Sequence, residues 1–248
     1  MTISLDLNAD IGEGLPNDGA LLEIVSSASI ACGGHAGSEL SMRAALRGAK
    51  ANGVVVGAHP GFADPEHFGR RRLEVGADEL TRQMRQQLET LTGLAREEGV
   101  ELRYVKLHGA LANMAAEDEH VASIAFAAVR NHDPHLAILA IDNSAQIAAA
   151  EALGLIVVHE AYADRAYLPN GLLMPRAEPG AVLHNAELIS QRAVRLATRA
   201  ELVAADGNAI ATTARSLCVH GDTDDAVRIA LAIKETLAEA GIAIAAAL

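Results

Sequence analysis

Short apolar stretches alternate with amphipathic helical patterns along the whole chain, and most of the stretches end in a polar, glycine-containing turn. This alternation constrains the fold most strongly, because strand–helix–strand units form parallel sheets with right-handed crossovers. The clearest unit is the apolar stretch 102–107, which is followed by His108 and Gly109 and then by a helical pattern over 121–130. Catalytic groups in such folds lie beyond the carboxyl ends of the parallel strands.

Seven apolar stretches predict seven strands. The predicted strands span residues 3–8, 28–31, 54–58, 102–107, 137–141, 156–160 and 216–219. Helices are predicted over 18–26, 38–52, 78–98, 121–130, 187–204 and 224–240, with one more ending at 153. Ser38 and Asp78 are expected to cap two of these helices. No linker or low-complexity segment divides the pattern, so residues 1–248 are predicted to form a single (β/α)-barrel domain.

Polar motifs end nearly every predicted strand, and this favours a closed parallel barrel over an open sheet. A barrel gathers all carboxyl strand ends at one mouth, whereas an open sheet spreads them along an edge. Lys106 and His108 are two positions apart and are therefore expected to point to the same side of their strand. A lysine in the apolar helix layer would need a buried partner, so the barrel mouth is the favoured direction for both side chains.

Composition excludes several classes of protein. The net charge of −12, from 20 basic and 32 acidic residues, argues against nucleic acid as a partner. No apolar run approaches the roughly 20 residues of a membrane span, and the N-terminal residues lack a signal-peptide pattern. The chain has two cysteines, Cys32 and Cys218, which are interpreted as small buried residues. A disulfide framework is not expected, and a reducing, cytoplasmic location fits.

Four histidines occupy equivalent places at predicted strand ends, each beside a glycine or a Pro-Gly turn. They are His35, His59, His108 and His220. One such histidine is more often structural, but four with the same placement indicate a functional cluster. Further polar residues at strand ends are Asn8, Asp10, Lys106, Glu160, Asp164, Arg165 and Asp222. The six other histidines, at positions 67, 120, 132, 135, 159 and 184, are interpreted as surface or core residues.

Two kinds of chemistry stay open for this cluster. Asp10 with His35 and His59 can form a metal site with open positions, because carboxylate and neutral imidazole suit zinc or a similar divalent ion. No HExxH or paired-cysteine spacing supports a metal, and metal-free acid–base catalysis by His and Asp is the competing interpretation. The three arginines at 70–72 are either surface charge or a local site for an anionic substrate. The long segment 161–185 has no clear period, which favours a functional loop.

The motifs together resemble the LamB/YcsF family, to which the A component of bacterial ATP-dependent 5-oxoprolinase belongs. The matching sequences are DLNADIGEG at 6–14, IACGGHAG at 30–37, GAHPG at 57–61, FGRR at 68–71, KLHGAL at 106–111, ADRAY at 163–167 and VHGD at 219–222. They run from one end of the chain to the other. The resemblance implies a seven-stranded parallel barrel of the glycoside hydrolase/deacetylase type.

The resemblance also implies a reaction, the opening of the 5-oxo-L-proline lactam to L-glutamate with cleavage of ATP to ADP and phosphate. Two partner subunits, B and C, take part in the reaction of this family. Under this hypothesis Asp10, His35, His59 and His108 supply acid–base or metal chemistry. The residues assigned to anionic oxygens or substrate are Asn8, Lys106, Arg70, Asp164 and Arg165. His220 and Asp222 would orient their neighbours.

The chain departs from the family pattern at four positions. The family usually has Phe at Gly34, Asp at Ser38, Pro at Leu107 and Tyr at Ala112, so the substrate stays open while the fold does not. Two other functions remain as alternatives. One is a metal-dependent amidohydrolase or deacetylase that acts without ATP, and the other is a non-catalytic regulatory partner.

Overall fold

The computed structural model describes residues 3–222 and 225–248. The strands are β1 (Ser4–Ile11), β2 (Ser27–Ala31), β3 (Val55–His59), β4 (Leu102–Val105), β5 (Ala137–Ile141), β6 (Val157–Tyr162), β7 (Glu201–Val203), β8 (Ala209–Ala211), β9 (Ser216–Val219) and β10 (Ala243–Ile244). The helices are α1 (Asp18–Leu22), α2 (Glu39–Asn52), α3 (Ala77–Glu98), α4 (Gly109–Glu117), α5 (Glu119–His132), α6 (Ala145–Ala152), α7 (Ala186–Arg199) and α8 (Ala226–Glu239), with a 3₁₀ turn at Pro65–His67.

Seven parallel strands close into a barrel. The strand order is β1-β2-β3-β4-β5-β6-β9, and β9 pairs with both β6 and β1. The short strand β10 adds to the start of β1 in parallel, with Ser4 opposite Ala243. The predicted seven-stranded barrel is therefore confirmed. Across the described residues, no helix is both long and apolar enough to span a membrane.

Alternation along β1 separates an apolar outer layer from a polar interior. The odd-numbered residues from Leu5 to Ile11 belong to the aliphatic core between the barrel and its helices. Asp6, Asn8 and Asp10 face the other way and contact residues of distant strands. A strand places successive side chains on opposite faces, so one strand contributes to both layers. The barrel interior is consequently unusually polar, with only a small apolar cluster around Tyr104 and Leu139.

Element bounds follow the sequence closely in places and depart from it in others. The strands at 137–141 and 216–219 are confirmed to the residue. Ser38 caps α2, accepting a hydrogen bond from the backbone N–H of Ser41 at 3.1 Å. Asp78 is not a cap, because α3 begins one residue earlier with Gly76 as its N-cap. The predicted start of the last helix, Asp224, lies outside the described residues, and α8 is described from Ala226.

Two elements were not predicted. Helix α4 begins directly after His108 and runs to Glu117. The acidic residues 117–119, interpreted as a helix start, contain a break, because Asp118 is extended and caps α5. The second missed element is the antiparallel hairpin of β7 and β8. The predicted helix 187–204 ends early, at Arg199, because Ala200 adopts a left-handed conformation with φ of 53°.

Candidate active site at the barrel mouth

A buried lysine organises the upper part of the barrel interior. The Lys106 ammonium donates to Asp10 Oδ1 at 2.9 Å and Asn8 Oδ1 at 3.1 Å, and lies 2.9 Å from Glu160 Oε1. Burial lowers the pKa of Lys106, but Asp10, Cys218 and Glu160 raise it more, so the pKa lies well above the ordinary value. Cys218 was interpreted as a small buried residue, yet its Sγ lies 2.8 Å from Lys106 Nζ. Lys106 is therefore a fixed cation held by two carboxylates.

Three histidines form a compact cluster above this lysine. The rings of His35 and His108 are stacked, with centroids 3.5 Å apart and planes 4° from parallel. His59 lies edge-on to both rings, and its Nε2 is 2.9 Å from His108 Nδ1. The strand order explains the contact, because β2, β3 and β4 are neighbours and each delivers one of these histidines at its carboxyl end.

Two carboxylates touch the histidine cluster from the end of β1 and the loop that follows it. Asp10 Oδ2 lies 3.4 Å from His59 Nε2. Glu13 Oε1 lies 3.3 Å from His35 Nε2 and 3.6 Å from His108 Nδ1. Glu13 was missed by the sequence analysis, which weighed residues at strand ends. It reaches the cluster because Gly12, with φ of 78°, turns the chain back over the barrel.

Burial sets the protonation of the cluster. It lowers the pKa of His35 to about 2, with the neighbouring His59 as the second cause. Burial also lowers the pKa of His108 well below its ordinary value, with His35 and then His59 adding to the shift. Burial raises the pKa of Glu13 well above its ordinary value, and Asp10 adds to that shift. For Asp10, His59 and Lys106 outweigh burial and hold its pKa well below the ordinary value. His35 and His108 are therefore neutral imidazoles.

The fourth predicted histidine has its own partner. His220 Nδ1 lies 2.8 Å from Asp164 Oδ1, and the His220 ring is 5.4 Å from that of Tyr162. Burial raises the pKa of Asp164, but the contacts with His220 outweigh it and the pKa is lowered. Asp164 thus orients His220, and it is the imidazole that borders the open cavity.

A cavity of about 370 Å³ opens at the carboxyl end of the barrel. Residues of the predicted site that line it are Asp10, His59, Arg70, His108, Arg165 and His220. Asn8 and Lys106 lie deeper, and His35 is covered by His108 in the stacked pair. Leu107 and Ala112, two of the positions that depart from the family pattern, also line this cavity.

Arginines converge at the rim of the cavity. Arg70 and Arg176 both donate to Asp222 Oδ2, at 2.5 and 3.1 Å. Burial raises the pKa of Asp222, but Arg70 and Arg176 outweigh it and the pKa is lowered. Arg165 is held differently, because it donates to the carbonyl oxygens of Met174 at 2.7 Å and Ala181 at 3.2 Å. Arg176 was noted only as a basic residue of the long loop, and the structure adds it to the rim.

Position 34 shows how one departure from the family pattern is accommodated. A side chain at Gly34 would collide with the amide of Gln87. Gln87 uses that space to bond both backbone groups of Gly61, accepting from N–H at 3.1 Å and donating to C=O at 2.8 Å. Gly61 in turn packs against His35 and His108, where an added Cβ would meet both side chains. The space at Gly34 is therefore filled by a residue that supports the histidine loops.

Two groups in the described part of the chain have the composition and spacing to hold a metal ion. One comprises Glu13, His35, His59 and His108, and the other Asp10, Cys218 and His220; within each group the ligand atoms lie within 4.8 Å of one another. The metal set expected from the sequence was Asp10, His35 and His59. The structure divides it, with the two histidines in the first group and Asp10 in the second.

The fold and the site define a class of protein, a parallel barrel whose mouth carries buried histidines, carboxylates and arginines. The chain belongs to the LamB/YcsF family, whose sequence model matches residues 5–248. The resemblance seen in the sequence is thereby confirmed.

Named relatives cover nearly the whole chain. One is a 5-oxoprolinase A-type subunit, numbered 3, of Pseudomonas syringae pv. tomato, 43% identical over 242 residues that cover 96% of this chain and 94% of the relative. The solved structure of a lactam utilization protein from Thermus thermophilus superposes with a TM-score of 0.91 at 38% identity, covering 98% and 99% of the two chains. A family 4 carbohydrate esterase from Streptomyces lividans shares the fold alone, with a TM-score of 0.50 at 11% identity over 97% and 91% of the chains.

Proposed function

We propose that this chain is the A component of an ATP-dependent 5-oxoprolinase that acts with two partner subunits, B and C, in the cytoplasm. The reaction would open 5-oxo-L-proline to L-glutamate and cleave ATP to ADP and phosphate. The observation that carries the proposal is the match over nearly the full length of relatives with this name, which comes together with a barrel mouth that holds both bases and cations.

The chemistry accounts for the use of ATP. An unstrained lactam is a poor electrophile, and transfer of the γ-phosphoryl group to the lactam oxygen activates its carbon. Water then adds to that carbon, and the ring C–N bond breaks as the nitrogen takes up a proton. A second water hydrolyses the resulting acyl phosphate to the carboxylate and inorganic phosphate. Both water additions need a base, and every intermediate is an anion that needs cations.

The histidines of the cavity wall are suited to the base. His108 is held neutral by burial, so its imidazole can accept a proton from water at neutral pH. His59 lies 2.9 Å from it and 3.4 Å from Asp10, so a proton gained by one imidazole can be shared and balanced by a carboxylate. Lys106 fixes Asp10 in place from below.

The rim arginines are suited to the anions. Asp222 now accepts from both Arg70 and Arg176, and a carboxylate or phosphate of the substrate would take over those two donors. The exchange needs Asp222 to move away, and it lies on the loop between β9 and α8. Arg165 is already committed to two backbone carbonyls, so it would act as a fixed charge in the cavity wall.

The test is the release of glutamate and phosphate from 5-oxoproline, measured with all three components, with this chain omitted, and with ATP omitted. The proposal expects both products in near-equal amounts only when all components are present. Glutamate release that persists without this chain, or none from the complete mixture, would contradict it.

The four-residue cluster of Glu13, His35, His59 and His108 favours one second candidate, a metal-dependent amidohydrolase that works without ATP. The same assay separates the two, because such an enzyme would release glutamate from this chain and a divalent metal alone. The third interpretation, a regulatory partner, expects turnover to survive loss of the histidines.

A further inference from the structure

The hydrogen bonds around His59 determine which of its ring nitrogens carries a proton. His59 Nδ1 lies 2.9 Å from the backbone carbonyl oxygen of Lys106. A carbonyl oxygen only accepts, so Nδ1 is the donor and carries the hydrogen. In the neutral ring, Nε2 therefore presents a lone pair. It points toward His108 at 2.9 Å and toward Asp10 at 3.4 Å.

The same reasoning applies to His108. Its Nε2 lies 2.9 Å from the backbone carbonyl oxygen of Phe68, so Nε2 carries the hydrogen and Nδ1 presents the lone pair. Burial keeps this imidazole neutral. Two lone pairs then face each other across 2.9 Å, with Asp10 Oδ2 near one and Glu13 Oε1 near the other. Such an arrangement of acceptors without a donor requires a cation among them.

We propose that His59 Nε2 and His108 Nδ1 are ligands of one divalent transition-metal ion, completed by Glu13 and His35. The four ligand atoms lie within 4.8 Å of one another, close enough for one ion to reach all of them after small side-chain movements. This set keeps His35 and His59 from the sequence expectation, adds His108, and replaces Asp10 by Glu13.

The outer contacts are those of a metal site. Histidine ligands usually donate their other N–H to a carbonyl or carboxylate, which fixes the tautomer, and His59 and His108 both do so here. His35 Nδ1 is buried without a hydrogen-bond partner among the described residues, so its tautomer is not fixed and Nε2 is free to bind the ion. A positive ion would also offset the burial that keeps Glu13 protonated.

The donor set selects the class of ion. Three imidazole nitrogens and one carboxylate oxygen suit zinc and its neighbours in the first transition row. Mg²⁺ and Ca²⁺ prefer sites made of oxygen ligands, so they should bind weakly. The inference concerns metal binding by this chain alone, and it can fail or succeed whether or not the lactam reaction is correct.

The experiment uses the full chain stripped with a chelator and then titrated with Co²⁺, Zn²⁺ or Mg²⁺. Calorimetry and metal analysis report affinity and stoichiometry, and Co²⁺ adds a visible absorption band that reports nitrogen-rich, low-coordinate binding. The expected result is one equivalent of Zn²⁺ or Co²⁺ and little Mg²⁺. His59→Asn and His108→Asn should each weaken binding by about 100-fold or more, since loss of outer partners alone reaches that scale. His135→Asn, an exposed histidine, is the matched control and should bind as the wild type does.

Two results would overturn the proposal. One is Co²⁺ or Zn²⁺ binding that the His59 and His108 variants leave unchanged, which would place the ion elsewhere. The other is absence of binding, with histidine ¹⁵N spectra showing one imidazolium shared by His59 and His108, which would identify the cation as a proton. The spectra are recorded on the wild-type chain, so they decide the question even where a variant fails to fold.

Discussion

Two buried polar networks lie one above the other inside the barrel, and they differ in how completely their hydrogen bonds are satisfied. The lower network surrounds Asp6. It accepts from the hydroxyl of Ser26 at 2.6 Å, of Ser27 at 2.8 Å and of Ser216 at 2.6 Å. Residues 246–248 at the C-terminus lie against this end of the barrel, next to Asp6 and Ser27.

The upper network surrounds Lys106 and the histidines, and it leaves polar atoms without partners. Glu160 Oε2 and His35 Nδ1 are buried and lack a hydrogen bond among the described residues. Buried polar groups are normally satisfied, and exceptions call for an explanation. The difference teaches which network is structural. The lower one is complete in itself, whereas the upper one has capacity left for a ligand.

The largest expected effect is on turnover, from the upper network. His108→Ala should lower 5-oxoproline turnover of the assembled complex by about 10² to 10⁴, the usual contribution of a positioned acid–base group. The fold should survive, because His108 lies beyond the end of β4, at the cavity. The measurement is glutamate release, with circular dichroism as the folding control and His135→Ala as the matched exposed variant. Turnover near that of the wild type from a folded His108→Ala chain would remove His108 from the site.

The second prediction concerns the stability of the upper network. Lys106→Met should lower the free energy of unfolding by about 3–5 kcal/mol, because it leaves Asp10 and Glu160 as uncompensated buried carboxylates. Turnover should fall as well. Urea denaturation measures the stability change, with the exposed Lys50→Met as control. A loss no greater than that of the control would mean that the two carboxylates are neutral without the lysine.

The sequence predicts the barrel well because its strands are aliphatic runs that end in polar motifs, and 137–141 and 216–219 match to the residue. It also brings the strand-end histidines together, since adjacent parallel strands deliver their ends to one place. The hairpin of β7 and β8 is hidden because its sequence continues a helical pattern. Glu13 is hidden because it lies beyond a glycine turn, where only the backbone path of Gly12 brings it back. The contact of Cys218 with Lys106 depends on closure between β9 and β1, which no local pattern encodes.

The third prediction concerns the lower network. Ser216→Ala should destabilise the chain by about 1–3 kcal/mol, since it leaves buried groups without a partner. Ser216 Oγ donates to Asp6 Oδ2 and accepts from Asn8 Nδ2 at 2.8 Å, so two groups lose a bond at once. Metal binding should be unchanged, because the histidine cluster lies above this layer. Ser123→Ala on α5, outside the barrel, is the control for urea denaturation. A change in metal affinity without a change in stability would show that the two networks are not separate.

The smallest expected effect is the dependence of the lower network on pH. Burial raises the pKa of Asp6 above its ordinary 3.8, and the hydroxyls of Ser216, Ser26 and Ser27 lower it by less. A carboxyl group with a raised pKa in the folded state contributes stability that is present below its unfolded pKa and is lost as pH rises through the folded pKa. The difference in free energy of unfolding between the wild type and Asp6→Asn should therefore shift against the wild type as pH rises above about 4, by no more than about 1.4 kcal/mol per pH unit. Urea denaturation of both proteins at a series of pH values measures this difference, and the substitution itself cancels as a constant offset. A difference that moves in favour of the wild type with rising pH would mean that the serine hydroxyls win over burial. Asp6 would then be ionised at neutral pH, and the lower network would be a charged one like the network above it.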